Sequence, residues 1–331
     1  MPFTIAQRVV GCLTGIATGD AIGKQSEGFS RDDIARWYPD GVRGFESPLG
    51  TVVPRYRGNR KHEWRVGETT DDTERTVAVA RAIIAERCVS HVAVGRELLR
   101  CTKCVHPGLA SLWEFHQAGD AARIAAAHDG CGGAVRVAPV GIFCGPGSLN
   151  DLVEGARAAS ISTHGGSLAI AGAAAIAAAV SVAVAGGGPR DAFEYAVEAA
   201  ALAERRWPGG DAPRMAAAIR SVHDGLAGLA AVRAGDVAAR CVPDHPLRIV
   251  PLALALAALT ESAEDAILLA ANIGGDSDSV ASMAAGILGA MFPASVNQEW
   301  YGAVADVEGV DLVALAHELA LVASTRKDRQ P

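Results

Sequence analysis

Basic charge is in short supply. Lys and Arg number 30 against 37 Asp and Glu, which leaves the 331-residue chain at −7 at neutral pH. A general nucleic-acid binder, which builds its phosphate affinity from clustered Lys and Arg, is therefore disfavoured. A paired-cysteine framework is missing too: seven cysteines scattered over a long chain suit a reducing compartment better than disulfides. Residues 1–23 carry one Arg, no compact Leu-rich run and Asp20 where a cleavage region would fall, so no secretory signal is read there and a cytoplasmic location is expected. Sustained strand alternation and solenoid-spaced repeats are absent. The pair Gly23-Lys24 hints at a phosphate loop, but Thr18 stands where a glycine is required and Gln25 follows the lysine, so that motif is not present.

What the chain does have is apolar helix. Half of its residues are hydrophobic, enough for a sizeable core. Helices are expected over 5–21, 76–86, 151–160, 192–205, 214–230, 251–260, 263–271, 280–291 and 312–323, with further helical chain over 91–127, and 28–67 as a long irregular segment. The fold class predicted is all-α: a single helical domain over 1–325 and a charged tail over 326–331. The uncharged stretch 168–185 reaches the length of a membrane span. It is mostly Ala, however, with no Lys, Arg, Trp or Tyr at its immediate flanks, and a helix buried on all sides is the preferred reading.

Two acidic clusters stand out. Gly274-Gly275-Asp276-Ser277-Asp278-Ser279 places two carboxylates two residues apart with hydroxyls beside them, and Thr69-Thr70-Asp71-Asp72-Thr73-Glu74 repeats that chemistry where a loop enters a helix. Asp71 with Glu74 resembles a capping box, yet three consecutive oxygen-bearing side chains exceed what one cap uses. If Glu27, Asp71, Asp72, Asp276 and Asp278 converge, their repulsion forces them to bind protons or cations. Hard oxygen donors without Cys or His select Mg²⁺, Mn²⁺ or Ca²⁺, and five carboxylates suit a pair of ions.

Other groups stay open. Arg55, Arg57, Arg60, Lys61, His62 and Arg65 make the most basic local run, either a solvated loop or a flap that contacts phosphate. Cys101, Cys104 and His106 are spaced like zinc ligands but lack a fourth partner, and are read as packing. Gly130-Cys131-Gly132-Gly133 would let a ligand approach the backbone. His164, between Thr163 and Gly165, sits in a polar setting that fits either a structural or a site histidine.

Together these pieces resemble the ADP-ribosylglycohydrolase family, with its dinitrogenase reductase-activating type as the nearest subtype. The matching segments are 15–23 with Glu27 downstream, Thr70-Asp71-Asp72-Thr73, the run over 130–141, Ser162-Thr163-His164 and Gly275-Asp276-Ser277-Asp278-Ser279, and the resemblance covers nearly the whole length. It implies an orthogonal all-helical bundle, two Mg²⁺ or Mn²⁺ ions, and hydrolysis of the bond between ADP-ribose and a modified protein side chain or a small acceptor. From the charge and the alanine-rich helix neither a nucleic-acid nor a membrane partner is expected, and a monomer is expected. By resemblance Thr70, Asp71, Asp72, Asp276, Asp278 and Ser279 are the metal ligands. Glu27 and Asp72 carry the chemistry, and Gly130, Cys131, Gly132, Gly133, Ser162 and His164 line the substrate cleft. Many members carry Asn where this chain has Cys131, whose side chain is expected to face the ligand, and aromatic content of 5% leaves few partners for adenine. A smaller ribosyl compound, a nucleoside or nucleotide, is the alternative substrate class, and a catalytically silent, metal-stabilised protein the third reading.

Overall fold

The computed structural model describes residues 2–45, 55–57, 60–62, 64–103, 128–210, 214–229 and 231–327. Its helices run α1 (Ile5–Gly23), α2 (Arg31–Trp37), α3 (Asp71–Glu86), α4 (His91–Leu98), α5 (Gly132–Val135), α6 (Ala138–Cys144), α7 (Leu149–Ser160) and α8 (Ser167–Val184). They continue through α9 (Pro189–Arg206), α10 (Met215–Ala227), α11 (Ala234–Ala238), α12 (Pro246–Leu259), α13 (Ala263–Ile273), α14 (Ser277–Met291), α15 (Gln298–Val307) and α16 (Leu312–Lys327). Among the described residues the only strands are β1 (Arg55–Arg57) and β2 (Arg60–His62), a short antiparallel hairpin. The all-α class expected from the sequence holds.

One helix pair sets the rest. Glycines at every fourth position of α1 meet the backbone of α14. A methyl carbon added at Gly11 would lie 2.1 Å from the Gly289 carbonyl oxygen, at Gly15 2.4 Å from that of Ala285, at Gly19 2.5 Å from that of Ala281, and at Gly23 2.6 Å from that of Ser277. Only glycine permits such contact. The partners descend along α14 as the glycines ascend along α1, so the helices are antiparallel and the C-terminal end of α1 lies against the N-terminal end of α14. The sequence reading stopped the first helix at Ala21; it continues to Gly23 because Gly23 is the last member of this stripe.

Around the pair, α14 also packs on α13 and α12, while α8 lies against α9, α7, α6 and α5. The alanine-rich α8 is long and apolar enough to span a membrane by length and composition, but most of it is buried within the fold. It is a core helix. Small side chains let its neighbours close in, and larger ones such as Leu13, Ile83, Leu152, Ile176 and Leu252 fill the remaining space, all at most 2% exposed.

Several boundaries differ from the sequence reading. Within 28–67, α2 forms because Ser30 and Asp33 make a reciprocal capping box, a helix start that the surrounding Gly and Pro residues obscure. Helix α12 begins at Pro246 rather than Pro251: His245 caps it, and Pro251 is carried inside. The run over 134–141 is helical too, as α5 and α6. Helix α16 extends to Lys327, into the stretch expected as tail. Cys104 and His106, the chain over 104–127 and the side chains of the basic run from Arg55 to His62 lie outside the described residues, so neither the zinc spacing nor the phosphate flap is decided by them.

Candidate metal centre

The two acidic turns meet, and a residue overlooked in the sequence joins them. Asp20, on the last turns of α1, is fully buried and accepts hydrogen bonds from the Thr70 amide at 3.0 Å, the Thr73 amide at 3.0 Å and the Thr73 hydroxyl at 2.5 Å. It therefore caps α3 from another helix, where a negative charge is favourable. Burial, then the charge of Asp278, raises its pKa to about 6, while the threonine bonds pull the other way. A signal was there to be read: Asp20 is the one charged residue between Arg8 and Lys24.

At the start of α3 the cap is Thr70, whose side chain accepts from the Asp72 amide at 3.1 Å. The capping box expected from Asp71 and Glu74 does not form. Glu74 instead accepts from the Thr102 and Lys103 amides at 2.7 and 2.8 Å, and Asp71 pairs with Arg75 one turn on, at 3.1 Å. Both acids thus face different partners.

The second turn depends on two glycines. Gly274 and Gly275 have φ of +86° and +68°, and a methyl carbon on either would lie within 2.6 Å of the carbonyl oxygen of Phe29 or Pro243. Here left-handed backbone and close approach both require glycine. The Gly275 amide donates to the Phe29 carbonyl at 3.0 Å, the Gly28 amide to the Gly275 carbonyl at 2.7 Å, and the Asp276 amide to the Pro243 carbonyl at 2.7 Å. Glu27 and the second acidic turn are thereby bolted together. Ser277 fastens the turn to α1 through its hydroxyl, which donates to the Gly23 carbonyl at 2.9 Å.

The carboxylates now act on one another. The Ser279 hydroxyl donates to Asp72 Oδ2 at 2.9 Å, bridging the clusters. Burial, then the charges of Asp278, Asp71, Asp20 and Asp276, hold the Asp72 carboxyl well above its usual range. Burial and Asp278 push Asp276 up to about 8. Lys24 contacts Glu27, lies 3.9 Å from Asp278 Oδ2 and packs over the Trp64 ring. Glu27, its side chain 37% exposed, stands at the mouth.

The glycine-rich turn completes the wall. Cys131 Sγ donates to Asp276 Oδ2 at 3.3 Å, so the thiol that was expected to face a ligand is turned onto a carboxylate. Burial, then Asp276 and Asp72, raises its pKa well above the usual thiol range. Methyl carbons added at Gly130 and Gly132 would lie 3.0 and 2.6 Å from the His164 ring, and one at Gly133 2.8 Å from the Ser160 hydroxyl, so these glycines make room for neighbouring side chains. Ser162 is 1% exposed and its hydroxyl oxygen is buried, with no hydrogen-bond partner among the described residues. It points into protein.

Thr70, Asp71, Asp72, Asp276, Asp278 and Ser279 are thus gathered at one place with Glu27 at its edge. Among the described residues, no three acidic, His or Cys side chains stand ready around a single cation position. Asp71 is engaged by Arg75, Asp72 by Ser279, and Asp276 by Cys131. The donor set nevertheless fits a hard divalent cation: all the expected ligands offer oxygen, and buried carboxyls that raise one another's pKa gain from positive charge between them.

Comparison with known proteins places the chain in a family. The chain is 27% identical over 313 residues to an uncharacterized protein of Archaeoglobus fulgidus, covering 92% of this chain and 93% of that protein. It is 25% identical over 307 residues to the uncharacterized protein YegU of Escherichia coli K12, covering 86% and 87%. A solved structure described as an ADP-ribosylglycohydrolase-related protein complex shares the fold with a TM-score of 0.71 at 22% identity, over 96% of this chain and 99% of that one. Residues 1–329 match the family described as ADP-ribosylglycohydrolase, and the chain that builds this acidic centre belongs to that family.

Proposed function

We propose that the protein is a divalent-metal-dependent glycoside hydrolase that cleaves the bond between ADP-ribose and a modified amino-acid side chain or small acceptor. Membership of the family supports hydrolysis of a glycosidic bond. The observation that carries the finer reading is the bridge between the two acidic turns, Ser279 to Asp72 at 2.9 Å, beside a glycine-rich turn. The dinitrogenase reductase-activating subtype rests on the motifs alone and remains part of the proposal, as do a monomeric state and a cytoplasmic location.

Thr70, Asp71, Asp72, Asp276, Asp278 and Ser279 would hold two Mg²⁺ or Mn²⁺ ions. When bound, such ions supply positive charge that orients ribose hydroxyls and makes water a better nucleophile. The protein's own groups do the rest. Glu27, reachable from solvent and held by Lys24, gives or takes the proton as the glycosidic bond breaks. Asp72, fixed by Ser279 and pushed toward its neutral form by burial and its acidic neighbours, would carry negative charge beside the sugar once cations are bound, where an oxocarbenium-like transition state develops positive charge. Gly132 and Gly133 are buried against the His164 ring and Ser160, so it is at the half-buried Gly130 and Cys131 that a ligand would reach the backbone of the turn.

Cys131 favours a second reading, a smaller ribosyl substrate. Its thiol supplies only a weak donor and acceptor where many relatives have an amide, and it is engaged by Asp276. The test is hydrolysis by the Mg²⁺- or Mn²⁺-loaded chain of ADP-ribosylated Arg and Ser peptides beside free nucleosides and nucleotides. Release of ADP-ribose from a peptide supports the first reading. Cleavage of nucleosides or nucleotides alone supports the second, and no turnover of any substrate removes both.

A further inference from the structure

We propose that Arg136 and Thr163 form a relay that fixes His164 as a neutral imidazole carrying its proton on Nε2, so that a hydrogen-bond donor faces the glycine-rich turn. The ligand it would meet, an acceptor oxygen of an ADP-ribosyl group, rests on the reading of that turn as a cleft wall. The relay itself does not.

Arg136, the residue that follows α5, is 0% exposed, and its guanidinium lies against the C-terminal end of α7. Its Nε and Nη2 donate to the Ala159 carbonyl at 3.1 and 2.9 Å, and Nη2 also donates to the Ser160 carbonyl at 3.1 Å and to Thr163 Oγ1 at 2.7 Å. The last carbonyls of a helix have no partner within it and carry the negative end of its dipole, so a guanidinium is at home there. Arg136 thereby fixes where the Thr163 oxygen sits.

Thr163 Oγ1 lies 2.7 Å from His164 Nδ1 and 3.5 Å from the Ser160 carbonyl oxygen. A guanidinium only donates, so the threonine oxygen accepts from it and its own proton must go to another acceptor. Nδ1 is much the nearer. An accepting Nδ1 puts the ring proton on Nε2. Were Nδ1 the donor instead, the buried hydroxyl would keep only the 3.5 Å contact for its proton, and a doubly protonated ring would bring a second cation onto the oxygen that Arg136 already engages. Nε2 faces the turn: a methyl carbon at Gly130 would lie 3.0 Å from it, and one at Gly132 2.9 Å. Glycine at both positions lets the turn pack closely against that edge of the ring.

Long-range ¹H–¹⁵N spectra of the ¹⁵N-labelled full chain at neutral pH read the tautomer directly, with His164 assigned by its loss in His164→Gln. The expected wild-type pattern is an unprotonated Nδ1 and a protonated Nε2. Thr163→Val should move His164 toward a mixed or Nδ1-protonated pattern and weaken ADP-ribose binding about five- to tenfold, as for one lost hydrogen bond; Thr163→Ser should restore both. A wild-type His164 protonated on Nδ1, or on both nitrogens, overturns the relay, as does a Thr163→Val spectrum unchanged from wild type. If Thr163→Val does not fold, the wild-type and Thr163→Ser spectra decide. The tautomer is measured without ligand, so an Nε2-protonated His164 in a protein that does not bind ADP-ribose upholds the relay while the substrate reading fails.

Discussion

Glu27 and Asp20 divide the work that separates chemistry from scaffold in this site. Glu27 is reachable from solvent and contacts Lys24, so Glu27→Gln, which keeps its size and shape, should leave the fold and much of the metal affinity in place while lowering kcat roughly 10²-fold or more. Steady-state kinetics with the active substrate of the panel would check this, and unchanged turnover would strike Glu27 from the catalytic groups. Asp20 is the reverse case. Its carboxylate receives the Thr70 and Thr73 donors, and Asp20→Ala leaves those groups buried without an acceptor, at a cost of about 1–3 kcal/mol for each donor stranded. Denaturant titration should show that loss even in metal-free protein. A variant as stable as wild type would mean that α3 does not depend on its interhelical cap.

At the scale of elements, the α1–α14 contact makes a sharp comparison between two glycines. Gly15→Ala places a methyl 2.4 Å from the Ala285 carbonyl oxygen; the gain in helix propensity, about 1 kcal/mol, should be outweighed by roughly 1–3 kcal/mol of overpacking. Gly302, inside α15, would meet nothing within 4 Å, so Gly302→Ala should be neutral or stabilising. Opposite signs in thermal unfolding are expected, and a stabilising Gly15→Ala would contradict backbone contact between the helices. The sequence carried much of this architecture: small residues in both helices, the acidic turns, and most helix cores follow from composition and periodicity alone. What escaped it depends on partners far along the chain. Glu74 looks like a capping residue from its spacing, but the amides of Thr102 and Lys103 claim it. Asp20 looks like the polar end of a helix, and only the approach of Thr70 and Thr73 makes it a cap. Arg136 reads as an interruption in an apolar run until the end of α7 arrives to receive it.

At the scale of the whole molecule, the acidic centre is held from behind by a second polar cluster. Glu308 accepts from Lys103 Nζ at 2.6 Å and from the Thr69 amide and hydroxyl at 2.8 Å each, tying the chain after α15 to the turn that enters α3. Burial pushes the Glu308 carboxyl up, but the Lys103 and Thr69 bonds outweigh it and hold the pKa below the ordinary 4.5. A depressed folded-state pKa contributes stability above the unfolded value and loses it as pH falls through the folded one. The melting-temperature gap between wild type and Glu308→Gln should therefore be widest above about pH 4.5 and close as the pH drops below it. A gap that stays constant across that range would exclude the ion pair as its source.

The central claim is that two acidic turns, about two hundred residues apart in the chain, make one hard-cation centre. Isothermal titration calorimetry of the full chain with Mg²⁺ and with Mn²⁺ tests it most directly. Saturable binding is expected in the wild type, lost in Asp276→Ala and equally in Asp72→Ala, one variant from each turn, with a metal-dependent rise in melting temperature that disappears in both. Absence of divalent binding to the wild type, or binding that survives removal of either carboxylate, would contradict it.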